Sequence, residues 1–300
     1  MRLNIILVAA ASMLLAPSGY AQNDFSQVQI ERTQVADGLY MLVGAGGNLS
    51  LSVGNDGAFL VDDQYAPMSD KILAAIAEVT DQEVSFLINT HFHGDHTGGN
   101  ENMGASGALI VAHENVRQRM STDQFRAAFN QTIPASPAAA LPIVTFSDEI
   151  NFYWNGTEIR VFHVNNAHTD GDAIVTYPEK NVIHMGDVFF NGLYPFIDVS
   201  SDGTLDGYID AVTQVLSLPF MNDETRIIPG HGPLANRGDL ERYLNVLISA
   251  RDRIGVLVQQ GLTEDQVVER DPMAEYHSTW AWMFIDGEMF TRSAYQTLSH

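Results

Sequence analysis

Three histidines and an aspartate crowd into six consecutive positions, as His91, His93, Asp95 and His96 of the run Thr90-His91-Phe92-His93-Gly94-Asp95-His96-Thr97-Gly98-Gly99. The run follows directly on Val84–Ile88, an apolar stretch that reads as a strand. A loop leaving a strand can point His91 and His93 the same way, because side chains alternate with period two. Asp95 and His96 then fall on the turn, and Gly98-Gly99 lets the backbone fold tightly behind them. Imidazoles and carboxylate at this density form a ligand set suited to a borderline-soft divalent cation such as zinc. A patch of surface histidines explains the run less well, since the whole chain has 10 histidines and three of them sit in this one loop.

Three further positions follow strand-like stretches. His168 lies in Ala167-His168-Thr169-Asp170-Gly171-Asp172, Asp187 closes His184-Met185-Gly186-Asp187, and His231 is framed by Ile228-Pro229-Gly230-His231-Gly232-Pro233. Each alone reads more readily as a turn cap than as a ligand. Together they add three nitrogen or oxygen donors at strand ends, where loop-built sites collect. With no cysteine in the chain, thiolate ligands and a cysteine nucleophile are excluded. No serine offers a convincing nucleophile either, and no dinucleotide-binding glycine fingerprint supports a flavin-dependent oxidoreductase.

The elements that must position these residues alternate along the chain. Gly38–Val43, Asn48–Val53 and Ala58–Val61 read as strands separated by glycine-rich turns. A helix capped by Ser69 or Asp70 carries Ile72, Leu73, Ile76 and Val79 on one face. Ala108–Ala112 reads as a strand and Glu114–Met120 as a helix. The Pro/Ala/Ser stretch Ile133–Pro142 is expected to be the junction between two halves, or a mobile loop over a site. Strands resume at Ile143–Phe146, Glu158–His163, Ala173–Tyr177, Asn181–His184 and Arg226–Ile228. Helices are predicted at Leu205–Leu216, Arg237–Gln260, Thr263–Glu269 and after Ala274. Both halves thus run from strands into strand–helix alternation, which suggests two similar α/β units packed sheet on sheet with helices outside.

Met1–Ala21 has the form of an export leader: Arg2, an apolar core at Ile5–Leu15, and small residues at the end. Its apolar run is too short for a comfortable membrane span, so the expected working protein is residues 22–300, periplasmic or secreted and free of the membrane after cleavage. A net charge of −22 disfavours nucleic acid as a partner and leaves a small-molecule substrate.

The order HxHxDH, then His in a Gly-rich turn, then Asp after Gly, then Gly-His-Gly, resembles the metallo-β-lactamase superfamily from about Gly38 to Pro233. The resemblance implies a four-layer αβ/βα sandwich of two mixed β-sheets with helices on the outer faces and a two-metal site at one edge. It implies that His91, His93 and His168 hold one metal, that Asp95, His96 and His231 hold the other, and that Asp187 bridges them. Zinc suits such ligands best, although iron or manganese fits the same set. Two metals a few Å apart would supply a bridging hydroxide near neutral pH, which Asp95 orients for direct attack on the substrate. Asp62, in Leu60-Val61-Asp62-Asp63, resembles a buried supporting aspartate of the superfamily and reads equally well as a strand-end turn residue. His163 is expected to be a core histidine, the direction of His184 is open, and His113, His277 and His300 have no motif around them.

For the substrate, a bridging Asp is similar to the lactonase and glyoxalase II-like thioesterase branches, and Val188–Pro195 offers no cation to grip a substrate carboxylate. Export pulls toward β-lactams and lactones, which are met outside the cell. The leading expectation is opening of a cyclic amide or ester, β-lactamase-like. Thioesterase, phosphodiesterase or sulfatase activity, and a non-catalytic zinc-binding module, stand as alternatives. The Gly44–Gly47 loop is read either as a flexible flap or as a tight turn.

Overall fold

Apolar residues on the strands divide by parity. In Ala58–Val61, Phe59 and Val61 face one layer while Ala58 and Leu60 face another, and all four are fully buried. A strand buried on both faces must lie between two other layers. The same split recurs in the second half, where Val182 and Ile228 face inward and their neighbours Ile183 and Ile227 face outward. The computed structural model describes residues 24–283 and 285–299; the expected export leader and His300 lie outside them.

The first sheet has seven strands in the order Glu31–Ala36, Leu39–Val43, Leu49–Ser52, Ala58–Val61, Val84–Asn89, Leu109–His113 and Val144–Phe146. Its first four strands form an antiparallel meander, and from Ala58–Val61 onward the pairing is parallel. The second sheet has six strands, Glu149–Trp154, Thr157–His163, Ala173–Tyr177, Val182–His184, Arg226–Ile228 and Ala235–Asn236. It repeats the plan: a meander, then a parallel step from Val182–His184 to Arg226–Ile228 across the helix Leu205–Leu216.

Between the sheets, Phe59, Val61, Ile88 and Val111 pack against Val161, Val175, Val182 and Ile228. Outside the first sheet, Ile72 and Ile76 of the helix Ser69–Ala77 cover Leu60, Leu87 and Ile110. Outside the second, the helices Leu205–Leu216, Arg237–Gln259 and Gly287–Leu298 contribute Val212, Leu247 and Phe290 to the core that covers Ile183 and Ile227. The result is the expected four-layer αβ/βα sandwich.

The structure departs from the sequence reading in several places. The half-to-half junction is not Ile133–Pro142: the first sheet continues to Phe146 and the second begins at Glu149. The Pro/Ala/Ser stretch instead buries Ala140 against Phe92, Val116 and Met120, under the histidine loop. Neither Ser69 nor Asp70 caps its helix. A 3-10 turn, Ala66–Met68, leads in, and the Ser69 hydroxyl accepts from Asn102 Nδ2 at 3.0 Å instead. Glu31–Ala36, Glu149–Trp154 and a small hairpin, Gln124–Arg126 with Gln131–Ile133, are strands the apolar pattern did not reveal. Among the described residues, no helix is long and apolar enough to cross a membrane.

The longest helix, Arg237–Gln259, starts with a reciprocal cap, in which Asn236 and Asp239 each accept from the other's backbone N–H. Asn236→Ala removes one half of that box and should lower the unfolding free energy by about 1 kcal/mol. Chemical denaturation of the variant beside the native chain measures this; an unchanged midpoint would show the cap to be idle.

Candidate metal centre

The site gathers at the carboxyl ends of strands from both sheets. Val84–Asn89 delivers Thr90 through His96, Val182–His184 delivers Asp187, and Arg226–Ile228 delivers His231. His168 comes from the loop joining Thr157–His163 to Ala173–Tyr177. Backbone bonds fasten the two sheets here: Ala173 N–H donates to Thr90 O at 2.8 Å and Asn48 N–H to Gly230 O at 2.8 Å. Asn48 Nδ2 also donates to Pro229 O and Gly232 O, each at 2.9 Å, framing the His231 turn. The turn that presents Asp187 needs a glycine before it, because Gly186 has φ +49° and a Cβ there would stand 2.6 Å from Thr90 Oγ1.

All seven residues expected from the sequence converge. His91, His93 and His168 form one group able to hold a metal ion, His91, His96 and Asp187 a second, and Asp95, His96 and His231 a third, with the donor atoms of each group within 4.8 Å of one another. Asp187 touches both ends of the cluster. Its carboxylate lies 3.1 Å from His96 Nε2, 3.4 Å from His231 Nε2, 3.5 Å from His168 Nε2 and 3.9 Å from His91 Nε2. Asp95 Oδ2 is 3.3 Å from His231 Nε2 and 3.6 Å from His96 Nε2.

Two donors of one tetrahedral zinc, each about 2.0–2.2 Å from the ion, stand roughly 3.3–3.5 Å apart, so most of these spacings match a shared cation. Three buried atoms reinforce the fit: His91 Nε2, His96 Nε2 and Asp187 Oδ1 have no hydrogen-bond partner. Buried polar atoms left so are costly unless something else engages them, and a divalent cation at the centre would engage all three.

Three of the imidazoles are aimed from behind by an oxygen outside the cluster. Asp62, fully buried at φ +60°, accepts from Thr90 N–H and Thr90 Oγ1, both at 2.8 Å, and its Oδ2 lies 2.8 Å from His96 Nδ1. Engaging Nδ1 leaves His96 Nε2 to face the cluster. Asp62 is therefore a supporting residue and not merely a strand-end turn aspartate. His184 points to the same carboxylate, with Nε2 3.9 Å from Asp62 Oδ2. Asp198 Oδ2 lies 3.0 Å from His93 Nε2, which turns His93 Nδ1 toward His168. Phe196 O lies 2.6 Å from His168 Nδ1, and Asp172 accepts the His168 and Thr169 N–H groups at 2.6 and 2.9 Å. Asp198 was missed in sequence, because nothing in its spacing ties it to a histidine 105 residues earlier. Asp172 stood within the His168 motif and could have been found there.

The charges are tightly coupled. Burial pulls His96 down, yet the carboxylates of Asp187, Asp95 and Asp62 override it and hold the ring well above the usual histidine range. Burial likewise opposes protonation of His231, but Asp187 and Asp95 raise it to about 9. Asp187 would be raised by burial, and the facing His96 and His231 hold it well below the usual carboxylate range instead. The carboxylates thus demand positive charge at this spot. His91, buried and next to His96, is pushed well below its usual range.

Among the described residues, the remaining histidines stay out of the cluster. His163 stacks on His113 at 3.9 Å and is half-buried, and His277 lies 3.0 Å from the Tyr194 hydroxyl. The Gly44–Gly47 loop is fastened as a wall, not a free flap: Gly47 N–H donates to Asp95 O at 3.0 Å and Gln64 Nε2 donates to Gly47 O at 2.7 Å. A Cβ on Gly47 would lie 2.0 Å from His96 Cε1, so the wall packs against the ring itself. An aromatic collar surrounds the cluster. Phe190 stacks on His231 at 5.3 Å, Trp282 lies 5.4 Å from the same ring, and Phe196 lies 5.8 Å from His168.

The sequence pattern of the metallo-beta-lactamase superfamily matches residues 43–231, from the second strand to the last histidine of the cluster. The chain belongs to the metallo-beta-lactamase superfamily. Among solved structures, a metallo-beta-lactamase from Pontibacter korlensis superposes with a TM-score of 0.61 at 20% identity, covering 73% of this chain and 99% of that one. At that identity the likeness speaks for the fold. Two curated relatives are each 24% identical: the 2,4-dinitroanisole O-demethylase subunit alpha of Nocardioides sp. (strain JS1661) over 63% of this chain, and the linear primary-alkylsulfatase of Pseudomonas sp. (strain ATCC 19151) over 72% of it. The chain spans about half the length of each, 53% and 48%. The family and the His/Asp cluster together make this a metal-dependent hydrolase by class.

Asp198→Ala should free the His93 ring and weaken metal affinity about 10- to 100-fold, the usual effect of losing such a partner. Competition for zinc against a chromogenic chelator measures this, and native affinity in the variant would remove Asp198 from the site.

Proposed function

We propose that this superfamily member is a two-metal hydrolase that opens a cyclic amide or ester, with the β-lactam ring as its first substrate class. The observation that carries the reading is the position of Asp187, one carboxylate reaching imidazoles of both triads. In this proposal His91, His93 and His168 would hold one ion, Asp95, His96 and His231 would hold the other, and Asp187 would serve both. Zinc is the favoured metal for such a nitrogen-rich set. When bound, the ions supply an activated water and Lewis acidity for the scissile carbonyl.

The chain's own residues do the rest. Asp95 and His231 are the cluster members most open to solvent, with side chains 24% and 17% exposed, so substrate enters on their side. Asp95, held well below the usual carboxylate range because His96 and His231 outweigh its burial, accepts the hydrogen bond that orients an attacking water. His91 and His93 stay neutral donors: burial foremost pushes His91 well below its usual range and holds His93 down to about 4. Phe190 and Phe196, buried behind His231 and His168, exclude bulk water, and the half-buried Trp282 beside His231 offers an apolar seat to the body of the substrate. With no nucleophilic serine or cysteine in the cluster, water attacks directly and no covalent enzyme intermediate forms. The lactam preference rests on the expected export of residues 22–300.

A second reading, cleavage of an alkyl sulfate or an aryl methyl ether, draws on the names of the two curated relatives and on the same aromatic collar. A hydrolysis panel separates the readings: a chromogenic cephalosporin, an acyl lactone, a glutathione thioester, a phosphate diester, an alkyl sulfate and an aryl methyl ether. Turnover of the cephalosporin or lactone, abolished by chelation and restored by zinc, is the expected result; turnover of the sulfate or ether alone would replace the lactam reading.

Two substitutions test the ligand roles. His91→Ala should lose one metal per chain and most turnover, and full metal content with native activity would refute the assignment. Asp187→Ala should loosen both ions, chiefly the one held by His96 and His231. Metal analysis after dialysis reads this directly, and two tightly held ions would mean that Asp187 bridges nothing.

A further inference from the structure

The hairpin Gln124–Arg126 with Gln131–Ile133 stands beside the histidine loop, and its strand parity is informative. Phe125 points outward, 55% exposed, while Gln124 and Arg126 share the opposite face and are half-buried. Beneath that face lies a cavity of about 160 Å³ whose walls include Phe92, Gly94 and Thr97 of the histidine loop, together with Arg119, Arg126 and Glu101, which makes no ion pair with either arginine. The two arginines differ. Arg119 is committed, to Asp170 through Nε at 2.6 Å and to Asp202 through Nη2 at 2.9 Å.

Arg126 Nε is buried with no hydrogen-bond partner, and among the described residues no carboxylate forms an ion pair with this guanidinium. In a chain of net charge −22, an uncompensated arginine beside a buried site is a group waiting for an anion. The hairpin is also held in place. Ala127 N–H donates to Ser200 Oγ at 3.0 Å and Phe129 packs on Phe196 at 5.6 Å, so the strand of Arg126 is tied to the loop that carries Asp198. Electrostatics agree on proximity. Tyr65 is pushed up to about 12 by burial and by Asp95, with Arg126 pulling against them, which places the guanidinium within electrostatic reach of the site mouth.

We propose that Arg126 is the substrate-binding cation of this site, gripping a carboxylate that the substrate carries beside its scissile carbonyl. The inference rests on the hydrolase reading and narrows it: Val188–Pro195 after Asp187 has no cation, so recognition of an anionic substrate passes to the hairpin. An arginine fork engages a carboxylate through two parallel bonds, which lysine cannot reproduce. Arg126 thereby selects among substrates, while the chemistry stays with the His/Asp cluster.

The test uses the zinc-loaded protein and two probes, a chromogenic cephalosporin with its free carboxylate and the methyl ester of the same compound. KM and kcat are measured for both, and calorimetry reads their binding independently of turnover. The native protein should favour the acid, and Arg126→Ala should weaken the acid alone by about ten- to a hundredfold, in KM and Kd and not in kcat, with Arg126→Lys recovering part. Melting curves confirm that the variants are folded. Equal affinity of the native protein for acid and ester overturns the proposal, as does a loss in Arg126→Ala that strikes both probes alike. Binding of the acid that depends on Arg126, without ring opening, keeps the Arg126 contact and removes the lactam reading alone. Failure of the acid to bind removes the Arg126 proposal whatever the panel above shows.

Discussion

A carboxylate taken out of water must be met by positive charge, and Asp187 is 5% exposed with four imidazoles around it. That requirement organises the molecule around it. The four rings reach Asp187 only because strands from two different sheets end at the same edge. The sheets stay in register through the inner core and through backbone bonds such as Ala173 to Thr90. Behind the rings, Asp62, Asp198 and Asp172 repeat the problem one layer out, and each solves it by accepting hydrogen bonds from a histidine or from backbone N–H groups. Acidic groups in this region are thus arranged in two concentric sets, one facing the centre and one fixing the orientation of what faces it.

The convergence of these side chains was legible in the sequence because a strand followed by a loop imposes a local code. His91 and His93 are two apart, and strand parity alone brings them to one side. The distant members were legible through their frames, since Gly186 before Asp187 and Gly230 before His231 mark turns that only a tight approach requires. The second sheet's plan was visible in the same way, because Val182–His184 and Arg226–Ile228 are short apolar runs ending in turn residues.

What escaped has a common cause. Glu31–Ala36 has four exposed residues out of six, so it is an edge strand held by backbone pairing and shows no apolar period. Glu149–Trp154 buries one face only partly and carries polar residues at alternate positions. The hairpin that holds Arg126 has short strands and little core of its own. Asp198 needs the fold to bring it to His93, and no spacing rule spans that distance. Sequence pattern reports burial and local geometry; it is silent where an element is stabilised by partners far along the chain.

The break between the halves at Ser147-Asp148 divides the site unevenly, with His91, His93, Asp95 and His96 before it and His168, Asp187 and His231 after it. Neither half owns a complete donor set for Asp187's cluster. An ion held there would draw on donors from both halves, and so would cross-link at their edge two sheets that already share an inner core. Metal occupancy would in that sense gauge assembly: prying the sheets apart at their seam would release the ions, and removing the ions would loosen the seam.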